Sequence, residues 1–315
     1  MSSGGARATD DVVPMNPFQR SDAPSAPSQS AEPFPAIGNP VFTPRADDAE
    51  TNEPWYSRSP KLFTIMGIDV HVSPLLYTYI VFTLVLTAFS ASFFLFALQA
   101  FASVLLFFTV LVHELGHCAA ARAVGGQVSH ILLWPLGGLA YVNVDATDAK
   151  GDFFVSFAGP LTHAPMLAGW VASFALATGS TDIREWPRDN FVGALAYEGC
   201  WLNIFLFLFN VCIPAYPLDG CRMLMALLAM CSVSLTTTAT TIICLSTVMS
   251  LGVIAYGFWL VQFMPVFVGA FTLAETYKLY TLLKSGALEE HPSFAKYNAM
   301  SGRRNTNTSW NVQAV

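Results

Sequence analysis

From His71 to Glu114 the chain reads HVSPLLYTYIVFTLVLTAFSASFFLFALQAFASVLLFFTVLVHE, and no Asp, Lys, Arg or other Glu interrupts it before Glu114. A helix that crosses a bilayer needs about 20 apolar residues. This run therefore holds two, Pro74–Phe89 and Phe94–Ala121, joined by a tight turn near Ser90–Ser92. The same reading carried outward gives a third span at Phe153–Ala177 and, after the polar loop Ser180–Asn190, a fourth at Val192–Ile213. The uncharged stretch Met223–Ala274 has room for two more, centred on Thr236–Ile254 and Trp259–Leu279. The expected fold is an all-α polytopic membrane protein of about six transmembrane helices.

Composition agrees. The 315 residues are 54% hydrophobic and only 11% charged, with a mean hydropathy of +0.49, whereas soluble domains carry about 25% charged residues. A net charge of −6 leaves no basic surplus for phosphates and argues against nucleic acid as a partner. The six cysteines fall in or beside apolar segments, which is the pattern of small buried side chains and not of a disulfide framework. Residues 1–60 hold 10 of the 19 prolines and no apolar periodicity, so they are expected to form a disordered tail; no signal-peptide core follows the start. The core is then 61–284, and 285–315 is a polar C-terminal tail. Six spans return both termini to one side. Only Arg184 and Arg188 face the other side, so the positive-inside rule expects cytosolic termini.

Chemistry concentrates at the end of the second span, in His113-Glu114-Leu115-Gly116-His117. Residues i and i+4 share a helix face, so both imidazoles can meet one zinc ion while the intervening Glu reaches a water beside it. Within a membrane such a polar cluster is costly unless something pairs it. A catalytic zinc takes three protein ligands, and Asp219 in Pro217-Leu218-Asp219-Gly220 is the best third. Two further crossings after the second span bring it back to the leaflet of the histidines. Position alone leaves metal ligation and a helix-terminal Asp in a Pro/Gly turn equally open.

The pairing of His-Glu-Leu-Gly-His with Pro-Leu-Asp-Gly-x-Arg resembles the site-2 protease family of intramembrane zinc metalloproteases, in its small six-span form without a visible PDZ or CBS domain. The likeness extends to Leu62–Ile68, Leu136-Gly137-Gly138 and Ala158-Gly159-Pro160, and covers roughly Leu62 to Leu283. It implies His113, His117 and Asp219 as ligands of one Zn2+ per chain, and Glu114 as the general base for a zinc-activated water. The implied partner besides the lipid bilayer is a membrane-spanning protein, cut near the cytosolic face. Three positions depart from the family pattern. Val211 stands where an Asn that holds substrate or oxyanion is common, with Asn210 one residue earlier as its replacement. Cys221 replaces a second Gly. His163 stands where many relatives carry Asn, and is a candidate partner for the metal ligands.

Gly125–Val142 is too short and too broken by Gly and Pro for a span, and reads as a β-hairpin or re-entrant loop. It serves either as a connector or as an edge strand that takes unwound substrate, through Ile131–Leu133 and Gly137–Ala140. Glu198 reads as too far from the zinc motif to take part. The competing class is a non-proteolytic metal-binding membrane protein or an inactive scaffold, against which the intact Glu114 argues. A di-iron oxidase would need more than these six histidines.

Overall fold

The computed structural model describes residues 59–89, 92–135, 137–143, 148–288, 291, 294 and 297. All but the last two residues of the proposed N-terminal tail, most of the C-terminal one, and the turn at Ser90 and Ala91 lie outside them.

The described chain begins with β1 (Lys61–Ile65) and β2 (Ile68–Val72), followed by α1 (Pro74–Ala88) and α2 (Phe93–Ala123). Then come β3 (Gln127–Trp134), β4 (Gly137–Asn143), α3 (Ala149–Leu161), α4 (His163–Thr178), α5 (Phe191–Cys212), α6 (Asp219–Met230), α7 (Leu235–Trp259) and α8 (Phe263–Ser285). Local chemistry sets these limits. Ser73, Ser92, Asp148, Asn190 and Ser234 each cap a helix N-terminus by accepting a backbone N–H. Gly179 and Gly286 end α4 and α8 in the left-handed conformation.

Helices α2, α5 and α7 are each long and apolar enough to cross a membrane, and α1 is a shorter apolar helix. Their outer faces expose large apolar side chains such as Phe93, Val104, Leu208 and Val248, which suits hydrocarbon and not water. The chain is a multi-pass integral membrane protein. The expected third span is two helices, α3 and α4, meeting at Thr162.

A four-stranded sheet of order β1-β2-β3-β4 accompanies the helices, and its β3 and β4 fall, to within one residue, in the Gly125–Val142 stretch that follows α2. β1 and β2 form an antiparallel hairpin. Its two-residue turn, Met66-Gly67, has positive φ at both positions, the backbone that matches strand twist. β2 pairs parallel to β3 across the α1–α2 crossover, and β3 pairs antiparallel to β4. Alternation gives the sheet one apolar face, where Ile68, Val70, Val72, Ile131, Leu133, Ala140 and Val142 join a core with Leu111, Cys118 and Ala121 of α2. The other face carries Asp69, held below the usual carboxylate range by Lys61 and Thr64. It also carries His130, stacked on Tyr141 and brought down to about 4 by burial and by nearby His71. β4 is an edge strand of the sheet.

A second core gathers Tyr216, Cys221, Met225 and Ile242 with Leu288, Phe294 and Tyr297. With His291, four residues of the polar C-terminal stretch are buried. His291 meets the Tyr216 hydroxyl at 3.1 Å, and the Tyr297 hydroxyl donates to the Asp152 carboxylate. All six cysteines are free.

Candidate metal centre

His113 is residue 21 of α2, about 30 Å along its axis from Phe93. The i,i+4 spacing stacks the two imidazoles on the face that α3 covers, and both are buried. Asp219 arrives from far along the chain. The segment from Pro214 to Leu218 turns the chain at the end of α5, and α6 begins at Asp219 itself. Ser246 of α7 holds this segment by accepting the Tyr216 N–H at 2.9 Å and donating to the Pro214 carbonyl at 3.3 Å.

The three side chains converge. Asp219 Oδ2 lies 3.0 Å from His113 Nε2 and 3.3 Å from His117 Nε2, and the two Nε2 atoms are 3.1 Å apart. Among the described residues they are the one group of three or more His, Cys, Asp or Glu arranged to hold a metal ion. A tetrahedral ion with bonds of about 2.0–2.1 Å sets its ligands about 3.3 Å apart, so two nitrogens and one carboxylate oxygen at these separations fit zinc. Gly159 of α3 supplies the room. A Cβ there would lie 2.8 Å from His113 Nε2 and closer still to His117 Nε2.

The surrounding hydrogen bonds decide which ring nitrogen points inward. His117 Nδ1 donates to the Val155 carbonyl at 2.7 Å, leaving Nε2 as a lone pair. His113 is fixed through a longer chain. The Asn203 amide N–H donates to the Gly199 carbonyl at 2.9 Å, so its Oδ1 faces His163 Nδ1, also at 2.9 Å. An amide oxygen only accepts, so His163 Nδ1 carries the proton and Nε2 accepts from His113 Nδ1 at 3.1 Å. His113 Nε2 is then the lone pair that faces Asp219. Such outer partners orient ligating histidines and raise their basicity. Asn203 escaped the sequence reading, because nothing in its span α5 marks one Asn as the partner of a His 40 residues away.

Glu114 is buried and points to the sheet, where its carboxylate accepts the Ala140 N–H of β4. Gly138 permits that approach, since a Cβ there would come within 2.6 Å of the Glu114 carboxyl. Glu114, both histidines and Asp219 face a cavity of about 630 Å³ whose other walls are largely apolar, with Trp134, Trp201, Phe205 and Phe271 among them. Asn210 also lines it, with its amide N–H donated to the Leu206 carbonyl at 3.0 Å. Glu198 lines the same cavity, toward the start of α5 and apart from the metal-holding group. The cavity runs along α5, from Glu198 past Phe205 to Asn210.

Comparison with known proteins gives one picture. The model of peptidase family M50 matches residues 101–255, which contain the His-Glu-x-x-His motif and Asp219. A zinc metalloprotease of Methanocaldococcus jannaschii is 33% identical over 169 residues, 54% of this chain and 45% of the relative. Stage IV sporulation protein FB of Bacillus subtilis is 31% identical over 121 residues, 38% of this chain and 37% of that one. The chain thus spans less than half the length of these curated relatives. Among solved structures, the site-2 protease from Methanocaldococcus jannaschii superposes with a TM-score of 0.52 at 25% identity, over 70% of this chain and 94% of that one.

Proposed function

We propose that this chain, which belongs to the site-2 protease family of zinc metallopeptidases, is an intramembrane endopeptidase that hydrolyses a peptide bond of a membrane-spanning protein near the cytosolic face. One observation carries the reading. Three ligand atoms converge on one point while Glu114 stands beside them on the wall of a cavity large enough for a peptide. His113, His117 and Asp219 would hold the zinc. When bound it supplies Lewis acidity, lowering the pKa of water toward about 7 and polarising a carbonyl. Glu114 takes the proton from the attacking water and hands it to the leaving amine. Asn210, on the same wall, stands where it can hold substrate, and His163 keeps His113 in its ligating tautomer.

A helical substrate hides its peptide bonds and has to be unwound first. The free edge of β4 is the strand that receives the unwound piece, because β4 already meets Glu114 through Ala140. In a six-span arrangement α1, α2, the broken α3–α4 pair, α5, α7 and α8 cross, and both termini lie in the cytosol.

The test compares cells expressing wild type, Glu114→Gln and Asp219→Ala, with enrichment of new protein N-termini from membranes and zinc counted per purified chain. Glu114→Gln should lose every wild-type product yet keep its zinc, and Asp219→Ala should lose both. Identical products from wild type and Glu114→Gln, or no zinc in a folded wild type, refute the reading.

A further inference from the structure

We propose that Glu198 is the specificity group of the cavity and that its ligand is a basic side chain, lysine or arginine, on the bound segment. The inference rests on the peptidase reading and names the kind of segment the site selects.

The described helices hold five carboxylates, and four have partners. Glu114 accepts from Ala140, and Asp219 faces the two histidines. Asp152 takes the Tyr297 hydroxyl and Arg222, and Glu275 takes Lys278. Glu198 makes no hydrogen bond or ion pair with any described residue. Yet it sits about 10 Å along α5 from Phe191, inside a helix long and apolar enough to cross the bilayer. An ionisable group kept at such a place is expensive and is ordinarily retained for a function.

Its surroundings direct it inward. Glu198, Trp201, Leu202 and Phe205 follow at spacings of three, four and seven residues, one helix face, and all line the cavity. The loop before α5 folds back over this end of the helix. Trp186 packs edge-on against Tyr197 with centroids 5.0 Å apart, and Trp201 Nε1 donates to the Ile183 carbonyl at 3.1 Å. These aromatic groups flank Glu198, so the cavity is where its carboxylate meets a partner. Along α5, Asn203 lies five residues on and Asn210 twelve, about 7.5 and 18 Å. Those positions bracket the level of the metal centre, since Asn203 holds His163 and a Cβ on Gly220 would touch the Asn210 carbonyl. An extended chain covers the interval in roughly two to five residues. The basic side chain therefore belongs about that many positions from the scissile bond.

The experiment uses full-length Glu114→Gln protein in detergent and fluorescent transmembrane peptides of Leu and Ala with constant flanks. A single lysine is stepped through the central ten positions, and dissociation constants are read. At one position, or at neighbours on one face, the lysine peptide should bind at least tenfold tighter than its leucine counterpart. That preference should vanish on adding Glu198→Gln, and on adding Glu198→Lys it should pass to peptides carrying glutamate. An unchanged profile in both variants, no preferred position, or no binding overturns the assignment, given zinc content and elution profile equal to those of the parent. Cleavage by wild type is scored separately. Peptides bound with this preference but never cut would refute the peptidase reading and leave Glu198 as the cation site.

Discussion

Replacing Gly159 by alanine should damage the metal centre while strengthening the helix that carries the change. Gly159 lies inside α3, where alanine is favoured over glycine by about 1 kcal/mol, which offsets much of the overpacking of about 1–3 kcal/mol, so the apo protein should still fold and melt within a few degrees of wild type. Its new Cβ would stand 2.8 Å from His113 Nε2, and nearer to His117 Nε2. Ordinary contact begins near 3.4 Å, so the His113 ring must retreat by about 0.6 Å. Metal–ligand distances tolerate about 0.2 Å. A displacement three times that size should weaken zinc by at least the 10- to 100-fold seen when supporting partners are lost, about 1.4–2.8 kcal/mol. The assay is zinc competition against a chromophoric chelator, with the apo melting temperature alongside. Gly169→Ala in α4 is the control, because nothing lies within 4 Å of a Cβ there, and it should keep wild-type affinity. Zinc affinity in Gly159→Ala within twofold of wild type would refute the account of the site as a cradle that only a glycine leaves open.

Two further outcomes follow from the hydrogen bonds around the site. Asn203→Leu removes the acceptor of His163 Nδ1, so either that N–H is stranded at a cost of about 1–3 kcal/mol or the proton moves to Nε2 and turns His113 away from ligation. Zinc affinity should fall at least tenfold, and affinity equal to wild type would show that the tautomer of His113 is set by something else. At the C-terminal segment, burial brings His291 down to about 4 from 6.5. Protonation therefore favours the undocked state, and docking is intact above pH 6.5 and weakens as pH falls from there toward 4. At pH 5 about 2 kcal/mol is lost. Hydrogen exchange of peptides containing Phe294 should accelerate over that window in wild type and much less in His291→Gln; equal acceleration would remove His291 as the cause.

What was legible in the sequence followed either helical spacing or the order of motifs among the apolar segments. His113, Glu114 and His117 announce themselves because an i,i+4 pair shares a face whatever surrounds it. Asp219 was paired with them by counting apolar segments along the chain, and the structure brings its carboxylate within 3.3 Å of both Nε2 atoms. Other features depend on lateral contacts, which neither rule encodes. The β1–β2 hairpin left a readable trace, with Phe63 and Ile65 alternating into Met66-Gly67 and then Ile68, Val70 and Val72, but strands of five residues are brief beside helices of fifteen or more. Leu288, His291, Phe294 and Tyr297 recur every third residue, yet the polar composition around them hides four anchors. Asn203 and Glu198 lie on one helix, five residues apart, and face different neighbours. Asn203 turns to His163 and the histidine ligands, while Glu198 turns to the open cavity. Helical geometry requires this divergence, since five residues rotate about 140° away from alignment. A single span can thus hold the ligand shell on one side and meet the substrate on the other. The same geometry explains why a carboxylate remote from the zinc motif in sequence shares its cavity.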